Sequence, residues 1–88
     1  MNTSIQPVAV FPGTANTLTI RSITLGPPPS YFYQLENVDA EGVVTVLKDG
    51  NVNMTEAQWQ NWGANLGPQG DDEYQLNCIS ANLGLTRV

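Results

Sequence analysis

The chain has 88 residues, a formal net charge of −5 and only three basic side chains, Arg21, Lys48 and Arg87. Nucleic-acid binding needs several cations to displace phosphate counterions, and anionic membranes attract cationic segments, so neither is an expected partner. One cysteine, Cys78, and no histidine leave no intrachain disulfide and no zinc-finger spacing.

Charged residues make up 12 % of the chain, against about 25 % in an average domain. The polar remainder is mostly Asn, Gln, Thr and Ser. Such a surface suits broad contact with other proteins, because charge is depleted at interface cores. A domain this small has thin stability, and small scaffolds use disulfides, metals or association to supplement it. Association is the aid left open here. No apolar run approaches the roughly 20 residues of a membrane span. The start, Met1-Asn2-Thr3-Ser4-Ile5-Gln6-Pro7, has neither the basic nor the apolar region of a signal peptide. The expectation is a protein that stays in the compartment where it is made.

Residues 1–16 read as an N-terminal arm or an edge strand. Val8-Ala9-Val10-Phe11 is a short strand candidate bracketed by Pro7 and Pro12, and proline confines a strand to an edge or its ends. Pro12-Gly13 is a turn signal. Residues 17–88 read as a single α+β domain, β-rich over 17–54 and helical over 55–85.

Residues 17–25 are rich in β-branched side chains and predict a strand. Leu18 and Ile20 point one way while Ile23 and Leu25 point the other, so the alternation switches near Arg21-Ser22 and predicts a bulge or a strand covered on both faces. Gly26-Pro27-Pro28-Pro29 is a rigid connection, since proline cannot donate to a ladder. Residues 31–38 predict a second strand, with Tyr31, Tyr33 and Leu35 on one face and Phe32, Gln34 and Glu36 on the other. Asp39-Ala40-Glu41-Gly42 predicts a turn, and residues 43–47 a returning strand. Asp49-Gly50 reads as a second tight turn, and residues 51–54 as a fourth strand or the approach to a helix.

Thr55-Glu56-Ala57-Gln58 fits a capping box and predicts a helix to Trp62, stopped by Gly63. Trp59 and Trp62 then share a face. Gly67-Pro68-Gln69-Gly70 reads as a loop. Asp71-Asp72-Glu73 opens a second helix, where acidic groups answer the positive end of the dipole. Tyr74, Cys78 and Ile79, flanked by Leu76 and Leu83, form its apolar stripe. Gly84 ends it, and Leu85 supplies the contact that accompanies such ends. Residues 86–88 are a tail or one more strand. The predicted fold is a small antiparallel sheet of three to four strands followed by two short C-terminal helices.

No residue set predicts catalysis. Cys78 has no imidazole to activate it and lies on a buried stripe. Three consecutive acids at 71–73 lack the alternate spacing of a calcium loop. Glu36 and Glu41 flank a hairpin turn, an ordinary solvated location. The glycines fit neither the dinucleotide nor the P-loop pattern. Cofactors, metals and small-molecule substrates are not expected. The remaining candidates are apolar and aromatic: Val8, Val10 and Phe11 in the N-terminal segment, and Tyr31, Tyr33, Trp59 and Trp62 as contact anchors.

The run Gly50-Asn51-Val52-Asn53-Met54-Thr55-Glu56-Ala57-Gln58-Trp59 with Trp62-Gly63, and the run from Asp71-Asp72-Glu73-Tyr74 to Leu83-Gly84-Leu85-Thr86, resemble small virion proteins of tailed bacteriophages. The resemblance covers the C-terminal half of the chain and contains no catalytic motif. It implies a structural component present in many copies, in the capsid, neck, tail or baseplate. That component would be made in the host cytoplasm and would bind other virion proteins and copies of itself. On that reading residues 1–12 are an arm that can be removed without loss of the fold. The competing reading is a small acidic phage-encoded regulator or inhibitor docking on a host protein, supported by the net charge of −5.

Overall fold

A computed structural model describes residues 1–24, 28–62 and 71–88. The β-branched and aromatic runs form four strands: β1 (Asn2–Val10), β2 (Gly13–Thr24), β3 (Ser30–Val38) and β4 (Val44–Asn53). Two helices follow, α1 (Glu56–Asn61) and α2 (Asp71–Asn82). The strands form one antiparallel sheet in the order β1-β2-β3-β4. This is the expected α+β architecture. The expectations for Leu25, for Gly26-Pro27, for Gly63 and for Gly67-Pro68-Gln69-Gly70 lie outside the described residues.

The N-terminal segment belongs to the sheet. β1 reverses through Phe11-Pro12, so that Val10 pairs with Gly13. Its ladder to β2 is irregular between Ser4 and Val8, and Pro7, which lacks an N–H, sits there. Over the same stretch the chain's last residues pair with the other side of β1. The Gln6 N–H donates to Thr86 O at 2.8 Å, the Val88 N–H donates to Ser4 O at 3.1 Å, and Ile5 bridges to Arg87. Ile5 is buried in the core. Of the two readings of residues 1–16, the structure shows the edge strand and not a free arm. A lone core isoleucine among polar neighbours left no alternation from which to extend the strand.

The predicted bulge is present, as a register shift between Ser22 and Thr24. The turn after β3 also forms as expected. Asp39 Oδ1 accepts from the N–H groups of Glu41 and Val43, each at 2.9 Å. Gly42 takes φ +83°, a conformation that glycine adopts without steric cost.

Asp49-Gly50 is not a turn, and β4 runs through it. Gly50 stands opposite Tyr33, and a Cβ there would lie 3.0 Å from the Tyr33 hydroxyl. The glycine makes room for the ring instead of reversing the chain. Leu47 is an extra residue in β4: Leu35 pairs with Lys48, and Glu36 pairs with Val46. This bulge interrupts the alternation that would have marked one long strand.

One face of the sheet carries the core. Leu18, Ile20, Tyr31, Tyr33 and Leu35 pack with Ile5, Met54 and the α2 residues Tyr74, Leu76, Cys78 and Ile79. The Thr55 capping box forms on both sides, with the Gln58 N–H donating to Thr55 Oγ1 and the Thr55 N–H donating to Gln58 Oε1. Gln58 also exchanges side-chain amide bonds with Asn82, whose amide donates to Asn53 O. This set ties the start of α1, the end of α2 and the end of β4 together. Leu85 N–H donates to Ser80 O and Gly84 N–H to Ala81 O, and with Gly84 at φ +72° this is the Schellman ending of a helix.

Deleting residues 1–10 should remove the cooperative urea transition followed by circular dichroism, because it takes away an edge strand and Ile5. Gly50→Val should destabilise by about 1–3 kcal/mol in urea titration, the usual cost of overpacking, with Gly50→Ala losing less.

Candidate functional site

The candidate contact residues fall into two groups. Tyr31 and Tyr33 belong to the core. Tyr31 is 0 % exposed, and its hydroxyl donates to Gln75 Oε1 at 2.6 Å. Burial, with a smaller contribution from the neighbouring Cys78, pushes the Tyr31 hydroxyl up to about 12. Burial likewise raises the Cys78 thiol. Tyr31 and Tyr33 are corrected from surface anchors to core residues. They take the helix-covered face because they share it with Leu35. Phe32 is the outward aromatic of this strand, and it is half-buried.

Trp59 and Trp62 join the two helices. Their rings meet edge to face at 5.9 Å, and Trp62 stacks on Tyr74 at 6.1 Å. The Trp62 indole N–H donates to Asp71 Oδ1 at 3.1 Å, and the Tyr74 hydroxyl donates to Gln58 O at 2.7 Å. Both indoles are half-buried against the core. Trp59 also lines a shallow groove of about 280 Å³ with Pro28, Glu56 and Gln60.

Val8 and Val10 are half-buried at the margin of the core. Phe11, between them and the turn, is 96 % exposed. Its turn lies at the end of the sheet where β3 finishes and β4 begins. A Cβ on Gly13 would touch Leu47 at 3.4 Å. The Asn16 side chain stands in for a backbone partner of Val38, donating to its carbonyl and accepting from its N–H, both at 2.9 Å. Asn37 donates to Thr14 O at 2.8 Å.

At this same end Val43, Val44 and Val46 are each 46 % to 57 % exposed. Phe11 and these three valines therefore make an apolar end to the molecule. It lies opposite the end where Met54, Thr55 and the helices pack. The valines were read as an ordinary hairpin strand. What could have marked Val44 and Val46 is their register, since they share a face with Glu36 and Val38 and not with the core residues Tyr31, Tyr33 and Leu35. β4 is an edge strand, and among the described residues nothing pairs with its outer side.

The polar groups are otherwise occupied. Glu36, expected in solvent, is buried in β3 and accepts from Thr19 Oγ1 at 2.6 Å, because strands on both sides shield it. Arg87 forms a two-point pair with Glu73, donates to Asn77 at 2.7 Å and to Thr3 at 3.0 Å. Its guanidinium holds the Glu73 carboxyl below the usual carboxylate range. Among the described residues no acidic or thiol cluster gathers as a metal site, and no helix is long and apolar enough to cross a membrane. No protein-family model, curated protein or solved structure matches this chain.

Tyr31→Phe should cost about 1–3 kcal/mol near neutral pH, because Gln75 Oε1 loses its buried donor. A raised tyrosine stabilises the fold fully below about pH 10, its ordinary range, and that stability is lost as pH rises toward the folded value of about 12. Wild-type stability should fall across this window in urea titrations, and the fall should be smaller in Tyr31→Phe.

Proposed function

We propose that this chain is a structural subunit of a tailed-bacteriophage particle, acting in many copies through protein–protein contacts and not through chemistry. The observation that carries the reading is the apolar end, where Phe11, Val43, Val44 and Val46 stand exposed together. Large apolar side chains left exposed at one end of a small protein favour a contact site. The low charged content of 12 % supports the same reading, as does the likeness of residues 50–86 to small virion proteins. Its partners are copies of itself and other virion proteins, reached after synthesis in the host cytoplasm. The half-buried Val8 and Val10 support the turn that presents Phe11.

Light scattering across a concentration series tests this. The expected result is a defined oligomer or continued growth with concentration. Phe11→Ser should weaken association at least tenfold while changing stability by no more than about 0.5 kcal/mol, as surface substitutions do. A protein that remains monomeric up to about millimolar concentration, where even millimolar affinity would register, would count against the reading.

A further inference from the structure

We infer that β4 pairs with β4 of a second copy, antiparallel about a two-fold axis through Thr45, to make one continuous eight-stranded sheet. The inference rests on the assembly reading above and names the surface and its occupant.

The two edges of the sheet are treated differently. The outer side of β1 is paired over Ser4–Gln6 by the chain's own tail. The outer side of β4 has no such partner among the described residues. An exposed edge presents a row of unpaired N–H and C=O groups, and native proteins usually blunt such edges with charge, proline or a cover. β4 has no proline, its charges Lys48 and Asp49 lie beyond the bulge at Leu47, and its first residues are Val44-Thr45-Val46. These are strand formers, left half-exposed beside the open edge.

The bulge selects the register. Residues directly opposite each other in an antiparallel pair share a face. Val44 and Val46 lie on one face, opposite Val38 and Glu36. Beyond the bulge that face continues with Asp49 and Asn51, opposite Gln34 and Phe32, and not with Lys48. A symmetric ladder cannot cross Leu47 without setting opposite faces against each other. It must therefore lie within residues 43–47.

Within that segment the centre is determined by length. An axis through Val46 would set Val44 against the partner's Lys48, which lies on the wrong face. An axis through Val44 would run into the Gly42 turn after one residue. The axis through Thr45 uses all five positions. It sets Val44 against the partner's Val46 twice, Val43 against the partner's Leu47 twice, and Thr45 against the partner's Thr45. Cross-strand β-branched and Thr–Thr pairs are favourable.

Charge fits the same arrangement. Each copy carries a net charge of −5, so most faces repel. The five paired positions, Val43-Val44-Thr45-Val46-Leu47, carry no charge, so the ladder itself sets no like charges against each other.

The test is Thr45→Cys under mild oxidation, with Asn53→Cys on the same strand as control. A disulfide needs Cα atoms within about 7 Å. The expected result is a covalent dimer for Thr45→Cys and none for Asn53→Cys, with native Cys78 buried and unreactive in both. Val46→Lys should weaken the dimer at least tenfold while leaving in place the urea midpoint read at concentrations where the protein is monomeric. Oligomers that persist with no Thr45→Cys cross-link and no response to Val46→Lys would overturn this interface and leave the assembly reading standing. A wild type monomeric at all concentrations, with no cross-link, would overturn both.

Discussion

The structure depends on a mismatch of lengths. β4 has ten residues and α2 has twelve. A strand rises about 3.3 Å per residue and a helix about 1.5 Å, so the strand is nearly twice as long as the helix laid against the sheet. α1, with six residues, adds little cover. The helices therefore seal the end of the sheet at Tyr31, Ile20 and Met54 and leave the other end bare. Tyr31 with Gln75 fixes the sealed end, and Phe11 with the valines marks the bare one. The core follows from which face the helices take, and Val44 and Val46 share the other face with Glu36 and Val38.

The sealed end is held by polar bonds as well as by packing. Gln58 serves a helix cap and the Asn82 amide together, so the two helices and the end of β4 share one network. Arg87 does comparable work at the β1 edge, reaching Thr3 on the sheet and Glu73 on α2. Exposed ion pairs contribute little by themselves. Here the geometry counts more than the charge, because the two-point grip orients the tail that pairs with β1.

Much of this was legible beforehand, for local reasons. The capping box at Thr55, the acidic start of α2, Gly84 at its end, the Asp39–Gly42 turn and the bulge near Ser22 are written in adjacent residues. Each acts through bonds to its own backbone neighbourhood. The misread features depend on distant partners. Gly50 looked like a turn because nothing nearby reveals that the Tyr33 ring lies over it. Residues 1–12 looked detachable because their edge partner is the chain's last three residues. Tyr31 and Tyr33 were correctly set on a common face, but which face the helices would cover was not contained in the alternation. Phe11, a contact candidate in the sequence, stands exposed beside the two-residue turn between β1 and β2.

The pairing of Ser4–Gln6 with the tail also bears on how the molecule comes into being. Thr3 and Arg87 are bonded across 84 positions of sequence, so this contact belongs to the slowest class, in which distant segments must meet. During synthesis the hairpins can form as they emerge, but the β1 edge stays open until residues 86–88 have emerged. For that interval the nascent chain presents two bare edges instead of one. Until residues 86–88 dock, the β1 edge offers the same kind of unpaired backbone groups as the outer side of β4.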